Sequence, residues 1–224
     1  MLKLGDLIFI RRSQIVVIAQ QLYSSAPMKA RILQRLRPFI CPFDELLKWI
    51  PANANVLDVG CGAGLFLGLI ASSRPTSGGV GFDTDDVAVG AASAMARQHF
   101  PDGRIRFEHS AIGDPWPDGI FDVVSMVDVL HHVPPSAQNA VIRDAYAHVA
   151  FGGLFIYKDM ADKPFVRAWW NRLHDLIIAR EWIHYRQIGE VEIWLREMGA
   201  EIVERSFKNL GPYGHELIVA KKRT

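Results

Sequence analysis

Asp58-Val59-Gly60-Cys61-Gly62-Ala63-Gly64 is the stretch on which the reading of this chain turns. Residues 56–59 form a short apolar run that ends in glycine. Bounded by turn signals, such a run reads as a buried strand. Leu65, Phe66, Leu69 and Ile70 follow at helical spacing. The glycines therefore sit where a strand hands over to a helix. Glycines at alternate positions let the backbone turn tightly and approach a ligand with no Cβ in the way. The free N–H groups of the following helix suit a negatively charged ligand group.

Downstream, the rhythm repeats. Val80-Gly81-Phe82 reads as a second strand after a breaker at residues 75–79, and an alanine-rich helix follows over about 85–99. Ile105-Arg106-Phe107 is a third strand and residues 121–127 a fourth, apolar on both faces. A helix starts at Pro135-Ser136 and reaches about Val149, Gly152-Gly153 closes it, and residues 154–157 form a fifth strand. Short apolar strands alternating with helices predict a doubly wound α/β fold, a mostly parallel sheet covered on both faces. Val191, Trp194, Leu195 and Met198 line a later helix capped by Gly199. Residues 201–207 and 216–220 read as two last strands, a hairpin that adds an antiparallel strand at the sheet edge and brings the count to seven. Upstream, residues 1–26 are open between helix, strand and arm. From Pro27, Met28, Ile32, Leu36 and Phe39/Ile40 fall on one face of an amphipathic helix, and a shorter helix spans about 42–50.

Composition narrows the class. In 224 residues, half are apolar and 22% charged, which excludes a disordered or collagenous chain. Lys plus Arg number 25 against 24 Asp plus Glu, so no whole-chain charge points to nucleic acid. The charge is uneven: residues 1–50 carry a net +5 and residues 51–130 a net −6. Solvated helix faces account for the basic front, and residues 1–40 are also the part that would meet an anionic membrane surface as a peripheral contact. Cys41 and Cys61 are not at metal or disulfide spacing, so no metal site is expected and a reduced, cytoplasmic compartment fits. Neither apolar run near the start, residues 7–10 or 15–19, reaches the ~20 residues a spanning helix needs.

Two nucleotide-type loops compete for residues 58–64. The dinucleotide pattern GxGxxG fails at its third glycine, where Leu65 stands, and no Gly-Lys-Ser/Thr follows for a phosphate-binding loop. The pattern DxGxGxG is met in full by Asp58, Gly60, Gly62 and Gly64. Asp83 ends the second strand 19 residues past Gly64, and Ser110-Ala111 follows the third. Trp116-Pro117-Asp118-Gly119 then leads into the fourth strand, and Val129-Leu130-His131-His132-Val133 follows it. This ordered set resembles the class I S-adenosylmethionine-dependent methyltransferases over residues 53–160, and in pattern over 187–222. It looks most like the small-molecule and lipid-precursor enzymes of ubiquinone and menaquinone biosynthesis.

The resemblance implies S-adenosylmethionine as cofactor and assigns roles. Gly60, Cys61, Gly62 and Gly64 would line the methionine portion, with Asp58 bracing the loop. Asp83 would hold both ribose hydroxyls. Thr84, Ser110, Ala111 and Ile112 would surround the adenine, although the family often has an acid where Ser110 stands. Met126 and Val127 would lie beneath the sulfonium. Each residue has a plainer reading. Asp58 could cap a helix, Asp83 could be a turn residue, Asp85 and Asp86 could cap the next helix, and Cys61 has no base beside it and reads as a small filler. His132 matches the family's frequent histidine, as pocket wall or base.

Residues 160–186 read as an insertion that caps the substrate. Its apolar stripe, Val166, Trp169, Leu173 and Ile177, is that of an ordinary packed helix, but Trp170 and His174-Asp175 lie off it and are candidates for the acceptor side. The layout expected is a helical arm over 1–52 and a methyltransferase domain over 53–224, with residues 27–50 and 160–186 roofing the acceptor. A small-molecule or lipid-precursor acceptor is expected, with methylation at oxygen. The alternative is a module that binds the cofactor without turnover. Nucleic acid is not expected, because Ser125-Met126-Val127-Asp128 stands where a base-methylating enzyme carries an Asn/Asp-Pro-Pro-Tyr type motif.

Overall fold

A computed structural model describes residues 10–110, 114–161, 186–211 and 213–223. Its strands form one seven-stranded sheet in the order β3-β2-β1-β4-β5-β7-β6. They are β1 Asn55–Val59, β2 Gly78–Asp83, β3 Ile105–His109, β4 Phe121–Val127, β5 Val149–Met160, β6 Glu201–Leu210 and β7 Tyr213–Lys221. β1–β2 and β2–β3 pair in parallel, whereas β7 runs antiparallel to both β5 and β6. The helices are α1 Arg12–Leu22, α2 Met28–Ile40, α3 Phe43–Leu46, α4 Leu65–Ser73, α5 Asp86–His99, α6 Gln138–Ala147 and α7 Ile188–Glu197, with 3₁₀ turns at Leu47–Trp49 and Leu130–His132. The doubly wound expectation holds, the C-terminal hairpin included. The chain divides into two compact units, Met1–Val123 and Val124–Thr224.

In the first unit, α1 settles what the sequence left open. Ile15, Ala19 and Leu22 are buried along one face, and Leu22 meets α4 at Gly68, where an added Cβ would come 2.9 Å from its Cδ1. Arg74, at the end of α4, ties the helical arm to that helix. Its guanidinium is buried and donates from Nε to the Ile50 carbonyl at 2.8 Å and from Nη2 to the Leu47 carbonyl. Gly78 and Gly79 lie inside β2 and not in the breaker expected before it. A Cβ on Gly79 would come within 2.0 Å of the Val56 carbonyl oxygen, so glycine is what lets β2 lie against β1 there.

α2 forms where the periodicity places it, yet it is turned round. Met28, Ile32, Leu36 and Phe39 are exposed, and Pro38 is the buried residue of the helix.

In the second unit, Gly152-Gly153 does not close α6. The helix ends at Ala147, and the glycine pair sits within β5. There the Gly152 N–H donates to the Lys222 carbonyl at 2.8 Å and the Lys222 N–H to the Gly153 carbonyl at 3.0 Å. The end of α6 is capped instead by the Lys222 ammonium, which donates to the Ala147 carbonyl at 3.1 Å and the Val149 carbonyl at 2.8 Å. Gly199 closes α7 as expected. At φ 81° it donates to the Arg196 carbonyl while Ala200 reaches the Leu195 carbonyl, the paired bonds of a Schellman end.

Candidate functional site

The glycine stretch is the turn between β1 and α4. Gly60, Gly62 and Gly64 have φ of 65°, 53° and 82°, left-handed backbone that side chains with a Cβ disfavour. The last two serve different ends. A Cβ on Gly64 would come 2.5 Å from Phe107 Cζ and 2.9 Å from Ala92 Cβ, so Gly64 is set by packing against β3 and α5. A Cβ on Gly62 would meet nothing within 4 Å. Gly62 therefore borders open space at the carboxyl end of the sheet, which is where ligands bind in such folds.

Asp83 ties this loop to β2. One carboxylate oxygen accepts from the Gly62 N–H at 2.7 Å and the other from the Asp85 N–H at 3.0 Å. Asp83 thus braces the loop, a role the sequence reading gave to Asp58, and its two oxygens keep lone pairs for further donors. Asp85 caps α5, accepting from Val87 at 2.9 Å and Ala88 at 3.2 Å. Thr84 lies exposed between them, its carbonyl 3.2 Å from His109 Nε2. Ser110 follows β3, its N–H donating to the Asp83 carbonyl at 3.1 Å. Its Oγ is buried and, among the described residues, has no hydrogen-bond partner. Leaving such a hydroxyl unmatched costs free energy, so an oxygen in this position suits a ligand atom.

Asp58 is buried at the end of β1. The Cys61 thiol is pushed well up, by burial first and then by the Asp58 and Asp83 carboxylates. A thiol held in its protonated form is a poor nucleophile. Tyr23 of α1 is a site residue that sequence reasoning missed. It is buried and its hydroxyl donates to the Ala63 carbonyl within the glycine loop. Its signal was faint: one tyrosine closing an eleven-residue helix in a stretch with no decisive periodicity.

The second unit holds its own cluster. Met126 and Val127 are buried in β4, and Asp128 follows at φ 59°, strained for a residue with a side chain. Its N–H donates to the Lys158 carbonyl at 2.8 Å, and its carboxylate pairs with the buried Lys158 ammonium. Beside this pair, Asp159 gathers three donors: His131 Nδ1, the Met160 N–H at 2.7 Å and the Tyr157 hydroxyl at 3.3 Å. Burial, then Asp159, holds the Tyr157 hydroxyl well above its ordinary value. The sequence singled out His132, but His131 is the buried, carboxylate-oriented member of the pair. His132 is exposed, its ring 4.2 Å from that of His131. Period and spacing cannot separate adjacent histidines, because the 3₁₀ turn sends one inward and the next outward. Ala111 and Ile112, and Trp170 and His174 of the expected cap, lie outside the described residues.

A family model described as a methyltransferase domain matches residues 31–205. The chain belongs to that family. Among curated relatives, it is 30% identical over 115 residues to a ubiquinone biosynthesis O-methyltransferase of Psychrobacter arcticus, covering 50% of this chain and 43% of the relative. It is also 30% identical over 118 residues to the Pseudomonas putida F1 protein of the same name, covering 50% of this chain and 47% of that one. The chain thus spans less than half the length of these relatives. The fold matches that of magnesium protoporphyrin IX methyltransferase from Synechocystis PCC 6803, solved with S-adenosylhomocysteine, at TM-score 0.68 and 18% identity over 94% of this chain and 95% of that one. The [4+2]-cyclase SpnF also shares it, at TM-score 0.64 and 17% identity over 82% and 81% of the two chains. The class I methyltransferase fold expected from the loop is therefore the fold observed, and S-adenosylmethionine is the cofactor of the family.

Proposed function

We propose that this methyltransferase carries a methyl group from S-adenosylmethionine to a small-molecule or lipid-like acceptor, at oxygen. The observation that carries the reading is the first-unit cradle: open space at Gly62, the Asp83 carboxylate beside it and the unmatched Ser110 hydroxyl. These residues fit the cofactor. Gly60, Gly62 and the start of α4 would take the methionine end, Asp83 the ribose hydroxyls, and Thr84, Ser110, Ala111 and Ile112 the adenine. Gly64 and Cys61 shape the loop from behind. The oxygen acceptor is supported by the O-methyltransferase names of the curated relatives.

The bound cofactor supplies a methyl on a sulfonium, already activated for displacement. What remains for the protein is to orient the acceptor, exclude water and receive a proton. We assign the last task to His131, held in one orientation by Asp159, in preference to His132. Met126 and Val127 would form the apolar floor. The layout we propose keeps a helical arm over 1–52 and a domain over 53–224, with 160–186, including His174, as the substrate cap.

Calorimetry with S-adenosylmethionine and S-adenosylhomocysteine, followed by a methyl-release screen over phenolic, carboxylate and lipid acceptors, tests this. Binding with turnover of an oxygen acceptor is expected. Binding with no turnover on any acceptor would favour a module that only holds the cofactor, and the cyclase with this fold shows that fold alone does not decide the chemistry. Asp83→Ala should weaken cofactor binding by about 1.5–3 kcal/mol. Ser110→Ala should weaken it by about 1 kcal/mol and leave the melting temperature unchanged or slightly raised, because among the described residues its buried hydroxyl has no partner to lose.

A further inference from the structure

α2 is amphipathic in the opposite sense to a core helix. Met28, Ile32, Leu36 and Phe39 recur at spacings of four, four and three, so they share one face. They are 68%, 51%, 47% and 54% exposed, and Leu33 beside them is 40% exposed. Ala30, Gln34 and Pro38, which lie on the opposite side, are partly or fully buried, and Arg37 and Ile40 are partly buried as well. The helix carries Lys29, Arg31, Arg35 and Arg37 and no acidic residue. On the helical projection, Arg31 and Arg35 border one edge of the apolar stripe, while Lys29 and Arg37 stand at the other. An exposed apolar face this wide is costly unless something covers it.

We propose that the outward face of α2 is a docking surface for an anionic lipid bilayer. The argument is charge complementarity. An interfacial helix lies in the membrane plane with its apolar residues at the acyl boundary and Lys and Arg among the headgroups, which is the arrangement of α2. Long cationic side chains beside the stripe can reach the headgroup level while their stems follow the apolar surface. A second copy of the chain is a poor occupant. Pairing α2 with itself would bring together two helices that each carry four cations and no anion. The proposal rests on none of the residues assigned to the cofactor, so it stands apart from the methyl-transfer reading.

The test is flotation of the full chain with vesicles containing one-third phosphatidylglycerol in phosphatidylcholine, against vesicles of phosphatidylcholine alone. Binding to the anionic vesicles, weakened by raising salt to about 0.5 M, is expected. Arg31→Gln/Arg35→Gln should lower partitioning on the order of 20-fold, and Ile32→Glu/Leu36→Glu should abolish it. Both pairs are exposed, so melting temperature and cofactor heats should be unchanged. The charge pair keeps the test decisive if the apolar pair fails to fold. No vesicle binding, equal binding to neutral vesicles, or binding untouched by the charge pair overturns the proposal. So does a dimer, seen by ultracentrifugation, that the apolar pair dissociates in the absence of vesicle binding. Cofactor heats from the same samples report separately on the methyl-transfer reading.

Discussion

Two glycines of one loop, alike in sequence, answer to different forces. Gly62 faces open space and Gly64 faces Phe107 and Ala92, although both hold left-handed backbone. Gly62→Ala pays only the backbone term, about 1–2 kcal/mol, and places a methyl where the cofactor would lie. Gly64→Ala adds overpacking of about 1–3 kcal/mol to the same backbone term. Gly62→Ala is therefore expected to lose cofactor affinity with a small drop in melting temperature, and Gly64→Ala to melt markedly lower. Thermal melts and calorimetry on both variants check this, and equal melting losses would mean the two positions play one role. The motif itself was legible because its glycines must stand at fixed intervals. Which glycine serves packing and which borders open space was not, since that depends on Phe107, a residue 43 positions away in the chain.

At the scale of elements, α1 shows how a helix can matter to a site it does not contain. Its last turn leads into Tyr23, whose buried hydroxyl donates to the carbonyl of Ala63 in the glycine loop. Tyr23→Phe keeps the ring and removes the bond, and should cost about 1 kcal/mol of stability. It should also weaken cofactor binding several-fold, because the loop loses its brace from behind. Denaturant titration and calorimetry measure the two effects, and an unchanged cofactor affinity would confine Tyr23 to packing. α2 carries the opposite lesson. Its period announced an amphipathic helix, but the hydrophobic pattern says only that one face differs from the other. It does not say which face meets protein, and here Ala30, Gln34 and Pro38 do. The glycine pairs at 78–79 and 152–153 misled for a related reason. Read locally they break elements. In the sheet, Gly79 is the place where the Val56 backbone comes close, and Gly152 takes left-handed backbone, φ 78°, while its N–H reaches the Lys222 carbonyl.

For the whole molecule, three weakly acidic groups bear on stability in alkali. Burial pushes up the Cys61 thiol, with Asp58 and Asp83 adding to it, and pushes up the Tyr23 hydroxyl, with Cys61 adding. Tyr157 is raised by burial and then by Asp159. The folded chain keeps these protons, whereas the unfolded chain releases them near the ordinary values, roughly pH 8.5–10. Above that range the unfolded state binds fewer protons, so stability must fall as pH rises. The urea midpoint should be flat up to about pH 8 and then decline, less steeply in Tyr157→Phe. A midpoint level to about pH 10.5 would show that these groups ionise freely in the folded protein.

By itself, the sequence determined the doubly wound sheet, the strand-to-helix turn at 58–64, the carboxylate at Asp83 and the family. These features depend on spacing and on local backbone needs, which a linear chain displays directly. Only the tertiary structure decided that Tyr23 backs the glycine loop, that His131 and not His132 joins Asp159, and that α2 turns its apolar side to solvent. Each of these is a contact, or a missing contact, between residues whose separation along the chain carries no signal. A side chain's partner is set by the packing of whole elements, and its own neighbours in sequence do not reveal it.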